Sequence, residues 1–270
     1  MSHDEEHAAT LVTLEGLIGC GKSTLMRHVA AYHASLPAPS FNLLTVEECL
    51  ADYTSYSPRL WEDNTDLVDT PAYNPLALAY ADPVRCLPVA QMHFSQVIRR
   101  ELLAARTRML LEAKHITDKP WVLLTDRGLL SPEIFTQAAY VSGSVADFAR
   151  DYLCSEARSS AKETLERANL APGYRGVYFL RVDKSTCLER IRLRGRPYEQ
   201  QLRLADLAVL EHTYDRYLEK YQSGGYPCLA GDCRTHVTKD TSAASLHRYL
   251  EMLVSSQPRD EHESEQLSAL

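Results

Sequence analysis

The stretch "LEGLIGCGKSTLM", Leu14 to Met26, sets three glycines and a lysine between an apolar run and a run with helical spacing. Gly16 to Ser23 fit GxxxxGK[ST], directly after a strand pattern and directly before a helix pattern, which is the context this motif requires. Glycine lets the backbone turn tightly and bring its N–H groups to a phosphate. The N-terminus of the following helix adds its positive dipole end. The loop of Gly16, Gly19, Cys20, Gly21, Lys22, Ser23 and Thr24 is therefore expected to cradle a nucleoside triphosphate. Lys22 reaches the β- and γ-phosphates, and the Ser23 hydroxyl is a ligand for Mg²⁺.

A motif of this kind calls for an α/β fold, and the rest of the chain alternates accordingly. Strand patterns occupy "TLVTLEG", "FNLLTVEE", "WVLLTD", "GVYFLRV" and, weakly, "THVTKD". Helical spacing covers 22–35, 76–115 with a break around Pro83–Pro88, 131–169 with a turn near Ser142–Ser144, 184–193, 202–221 and a last helix ending near Ser255. Residues 58–74 read as mostly irregular. The alternation predicts one parallel sheet of about five strands covered by helices, with ligands at the carboxyl ends of the strands. Residues 1–10 are expected to be disordered, 11–255 to form one domain, and 256–270 to be an acidic flexible tail.

Composition excludes several classes. A net charge of −7 argues against a nucleic-acid polymer as partner, since such proteins carry a basic footprint. No apolar run is long enough to span a membrane. The start, "MSHDEEHAAT", is polar and acidic, unlike a signal or transit peptide. The seven cysteines include no CxxC pair. Reduced structural thiols in a cytoplasmic compartment are the expectation.

A phosphate loop does not say what receives the phosphoryl group, so the other strand ends matter. "LLTVEECLADY" ends its strand in Glu47 and Glu48, and "VLLTDRG" ends in Asp126 and Arg127. Strand side chains alternate in direction, so one glutamate of the pair is expected to face the cleft. An acid on the central strand beside such a loop suits Mg²⁺. Lys184–Arg203 holds six arginines or lysines in an acidic protein. Its RGRP interruption favours a closing lid over a solvated helix face.

These residues resemble the deoxynucleoside kinases, which include cellular deoxynucleoside kinases and herpesvirus thymidine kinases. "EGLIGCGKST" is similar to the family's EGxIGxGKST. "EECLADY" resembles EPxxxW, without the proline, and implies a catalytic carboxylate. Glu48 fits best because it alone places an aromatic, Tyr53, five residues on, although Glu47 leaves the register open by one. "YADPVRCLPVAQ" resembles YxxPxRxxxxxQ and implies Tyr80 and Gln91 as sugar and base contacts. "TDRG" stands for the family's acid–Arg pair, implying Asp126 at the metal and Arg127 near the 5′-oxygen. Gly128 departs from the usual hydroxyl or His there. "RIRLRGRPYEQQLRL" resembles the lid, implying Arg190, Arg194 and Arg196 on phosphate and Glu199 on the 3′-hydroxyl. The RxRPxE form is similar to the herpesviral branch. Phe94, Ile98 and Phe135 complete the implied base pocket.

The resemblance implies transfer of the ATP γ-phosphoryl group to the 5′-hydroxyl of a pyrimidine deoxynucleoside, thymidine first, by a cytoplasmic homodimer using ATP and Mg²⁺. Chemistry agrees, because a hydroxyl needs a base and the migrating phosphoryl needs cations. Two other functions stay open. A thymidylate-type kinase shares the loop and a strand-end Asp–Arg, but it needs a cation for the acceptor's phosphate where Glu47 and Glu48 stand. A nucleotide-gated binding protein would need none of the acceptor residues.

Overall fold

The computed structural model describes residues 9–48, 73–113, 119–129, 131–168, 170, 174–222, 234–238 and 242–255. Tyr53, most of residues 58–74, and the tail 256–270 lie outside them.

Five strands form one sheet in the order β2-β3-β1-β4-β5, comprising β1 (Ala9–Gly16), β2 (Asn42–Val46), β3 (Trp121–Asp126), β4 (Tyr174–Leu180) and β5 (Arg234–Thr238). Every pairing is parallel. A parallel sheet covered on both faces has strands without polar alternation. β1 and β3 show this, since every residue of both is buried. Ala9 and Thr10, expected in a disordered lead, belong to β1 and are fully buried, paired with Trp121 and Val122.

The helices are α1 (Lys22–Ser35), α2 (Pro75–Ala81), α3 (Pro83–Ala113), α4 (Ser131–Val141), α5 (Asp147–Arg167), α6 (Lys184–Arg194), α7 (Leu204–Gln222) and α8 (Ala243–Ser255). α1 and α8 pack on each other, while α3, α4, α5 and α7 form a second packed group. Leu14, Leu123, Leu124, Val177 and Leu180 from the sheet meet Met26, Met109 and Leu250 from the helices in one core.

One expected feature is corrected here. The helix break spans Asp82 alone, not Pro83–Pro88, and α3 runs straight through Pro88. Asp82 ends α2 and its carboxylate accepts from the Arg85 amide at 3.3 Å, starting the next helix with Pro83 in its first turn. Pro88 removes one helical hydrogen bond, to the carbonyl of Val84, at a turn where Val84 and Val89 are both exposed and water can take the lost partner's place.

Beyond that turn, Gln91, Phe94, Val97, Leu102, Ala105 and Met109 are buried at three- to five-residue steps. One face of α3 is therefore turned inward. Gln91 sits on that face, which brings a polar amide to the edge of the core.

Candidate active site

β1 is central, with β3 on one side and β4 on the other, so the loop after Gly16 opens where three strand ends converge. Gly16, Gly19 and Gly21 all have positive φ (145°, 82° and 102°). At Gly19 the need for glycine is also steric. A Cβ there would lie 2.5 Å from the Cys187 carbonyl in the first turn of α6, so the loop and the arginine-bearing helix close on each other. Arg190 Nη1 donates to the Cys20 carbonyl at 3.1 Å across the same junction. The Cys20 thiol is fully buried, so this position faces the site with its backbone only.

Lys22 is buried, with its ammonium donating to the carbonyls of Gly16 (3.3 Å) and Leu17 (3.2 Å). Ser23 Oγ donates to Asp126 Oδ2 at 2.5 Å. Asp126 Oδ1 is buried and has no hydrogen-bond partner among the described residues.

A cavity of about 970 Å³ extends from this loop, near the upper end for small-molecule sites. Gly19, Gly21, Lys22, Ser23 and Thr24 line one end. Glu48, Arg127, Arg190, Arg194, Arg196 and Glu199 also line the cavity, as do Tyr80, Gln91, Phe94, Ile98 and Phe135. Gly16 underlies the loop and Asp126 reaches the site through Ser23. Glu47 is exposed, whereas Glu48 turns in.

Glu48 accepts from Arg127 Nε at 2.9 Å. Burial pushes its carboxyl upward, but Arg127 and Lys22, then Arg196, outweigh burial and hold it below the usual carboxylate range. Arg127 itself has φ 73°, a left-handed conformation that costs a non-glycine residue about 1–3 kcal/mol. That conformation turns its side chain into the cavity while its amide still donates to the Leu14 carbonyl at 3.0 Å. Phe135 lies under the guanidinium, 4.6 Å from ring centre to Cζ.

The lid is built by a helix stop. α6 ends at Gly195 in the left-handed conformation, and Pro197 opens a single 3₁₀ turn, Pro197–Glu199. Arg194 and Arg196 flank the stop, and both reach the buried Glu199, at 2.6 Å and 3.2 Å. Gln201 Nε2 donates to the Tyr80 carbonyl at 2.6 Å, and the Tyr80 and Tyr198 rings stack 6.1 Å apart. Burial first, then the charge of Glu199, pushes the Tyr80 phenol well up.

Residues 12–255 match the deoxynucleoside kinase family. The chain belongs to that family. A comparison with curated proteins gave no significant match. The activity common to deoxynucleoside kinases is phosphorylation of a nucleoside by ATP, and the cavity joins a phosphate loop to an amide- and aromatic-lined pocket that suits it.

Sequence reading did not assign the hydrogen-bonded network that joins Glu15, Ser131 and Tyr214 behind this site. Glu15 accepts from the Gly128 amide (2.8 Å), Ser131 Oγ (2.7 Å) and the Tyr214 hydroxyl (2.9 Å). Tyr214 lies 199 positions from Glu15, so no local spacing links them. The only local signal was a charged residue in an otherwise uncharged, buried strand.

Proposed function

We propose that this kinase transfers the γ-phosphoryl group of ATP to the 5′-hydroxyl of a pyrimidine deoxynucleoside, with thymidine preferred. The observation that carries the proposal is the Glu48–Arg127 pair, 2.9 Å apart in the cavity that the phosphate loop and Gln91 also line. Glu48 takes the proton of the 5′-hydroxyl, and its depressed pKa keeps it ionised for that task. Arg127, Lys22 and the lid arginines meet the negative charge that spreads over the moving phosphoryl oxygens. Glu199 accepts from the 3′-hydroxyl, with Tyr80 packed against the deoxyribose. The lid keeps water from the phosphoryl group.

Mg²⁺ fits this site on the residues present. Ser23 and Asp126 are hard oxygen donors beside the loop, and Asp126 Oδ1 is buried and unpartnered. The ion, when bound, neutralises charge on the β- and γ-phosphates. An ATP-dependent monophosphate kinase is disfavoured because Glu48 would repel a monophosphate where that reaction needs a cation.

The pyrimidine preference rests on Gln91 and its neighbours. Gln91 is only 5 % exposed and offers a donor and an acceptor to one base edge. Phe94 and Ile98 share its helix face and narrow the slot. Cytosine-preferring members carry a charged Arg and Asp at that edge. Here those positions hold Ile98 and either Ser131, already bonded to Glu15, or Pro132. The next acid, Glu133, is fully buried and is engaged by Arg158 and the Tyr217 hydroxyl. No fixed charge among the described residues thus favours cytosine's amino group.

A homodimer through the sheet-flanking helices is part of the same proposal, and Val89 and Met92 on α3 are exposed apolar residues suited to it. The test of specificity is kcat/KM with ATP across the four deoxynucleosides. Thymidine leads, deoxycytidine is second or comparable, and both purines trail, a lost hydrogen-bonded edge being worth about 1–3 kcal/mol. A purine in first place overturns the pocket assignment while leaving the kinase intact.

A further inference from the structure

Arg127 is held from three directions, and only one of its partners belongs to the reacting groups. Nε donates to Glu48. The guanidinium plane lies over Phe135. Nη1 donates to the Tyr214 hydroxyl at 3.1 Å. Tyr214 is 1 % exposed, on α7, and its ring packs against Phe179 with centroids 5.1 Å apart. Leu207 and Leu210 of the same helix line the cavity, but Tyr214 does not.

The direction of the bonds carries the argument. A phenol has one proton, and here it goes to Glu15 Oε2 at 2.9 Å. The oxygen is left as an acceptor toward Arg127. Glu15 is in turn fixed by the Gly128 amide and Ser131 Oγ on its other oxygen. The result is a directed chain from Arg127 through Tyr214 to Glu15, anchored on the strand that leads into the phosphate loop. It also ties Arg127 to α7, the helix that follows the lid. A left-handed residue has a backbone cost to maintain, so a chain that fixes its side chain also keeps the conformation in place.

We propose that Tyr214 is a positioning residue, whose hydroxyl, oriented by Glu15, holds the Arg127 guanidinium at the point where the phosphoryl group is transferred. The inference rests on the assignment of Arg127 to that group under the proposed function. A neutral acceptor is the right partner for this task. It fixes the fork without competing with the phosphoryl oxygens for the arginine's charge, as a second carboxylate at bonding distance would. The charge of Glu15 stays one hydroxyl away.

The test is a double-mutant cycle of Tyr214→Phe with Arg127→Ala, read as kcat and KM for ATP and thymidine at saturating co-substrate. Phenylalanine keeps the ring and its packing on Phe179 and removes only the hydroxyl. Tyr214→Phe lowers kcat on the order of 10- to 100-fold, the scale of a misplaced reacting group, with both KM values near wild type. In the Arg127→Ala background the same change has no further effect. Arg127→Lys, which keeps the charge and loses the fork, replaces Arg127→Ala in the cycle if the alanine variant does not fold. A Tyr214→Phe enzyme that loses melting temperature but keeps kcat overturns the proposal, and so does a loss that multiplies fully with the arginine substitution. If the arginine variant itself keeps wild-type kcat, the assignment of Arg127 fails and this inference falls with it.

Discussion

On the proposed function, the residue that decides the chemistry is Glu48, and its environment states what the pH profile must look like. A base works ionised, and Arg127 and Lys22, with Arg196 adding less, hold this carboxyl below the ordinary carboxylate range against the opposing effect of burial. The acid limb of kcat/KM therefore lies below that range, and activity is flat from mildly acidic to neutral pH. Glu48→Gln keeps the hydrogen bond from Arg127 and removes the base, so kcat falls by about 10²-fold or more while ATP binding, followed by calorimetry, is retained. Glu47→Gln is mild, because that side chain is exposed. The reverse ranking would move the base one residue back. The register was legible in the sequence only through the aromatic five residues on; the strand's end at Val46 and the inward turn of Glu48 are what favour it in space.

At the scale of elements, the turn after β3 is a second tight junction of the site, after the one at Gly19. Gly128 stands where the resemblance expects a hydroxyl or His, and the packing explains the departure. A Cβ there would lie 2.8 Å from Thr13 Cγ2 and 3.3 Å from Glu15 Oε1, both on the buried central strand. The Gly128 amide must also stay close enough to donate to Glu15. Gly128→Ala is expected to cost about 1–3 kcal/mol in urea unfolding, the usual penalty for overpacking, and to lower kcat by disturbing Glu15. An unchanged midpoint would mean that the turn has slack the contacts do not suggest. β3 was legible at its exact bounds because a fully buried strand is a continuous apolar run ending in an acid. The passage of α3 through Pro88 was not, since it depends on whether water can reach one carbonyl, and sequence carries no measure of exposure.

For the whole molecule, the parallel sheet and its phosphate loop followed from alternation and one motif, because both are local patterns repeated along the chain. The pocket's contents were legible where a helix face orders them: Gln91, Phe94 and Ile98 are spaced by one turn each and meet one cavity. What local pattern could not supply was the buried network of Glu15, Tyr214, Arg127 and Glu48, whose members come from β1, α7 and the ends of β3 and β2. Such a network exists only once the sheet is assembled. It also defines the central claim, that the acceptor is a hydroxyl activated by a carboxylate and not a phosphate held by a cation. Among the described residues, no helix is long and apolar enough to cross a membrane. The most direct measurement is ADP release from ATP and Mg²⁺ with thymidine as acceptor, set against the same assay with thymidylate. Thymidine is expected to drive turnover and thymidylate to leave it at the level without acceptor. Turnover with thymidylate and none with thymidine would contradict the account.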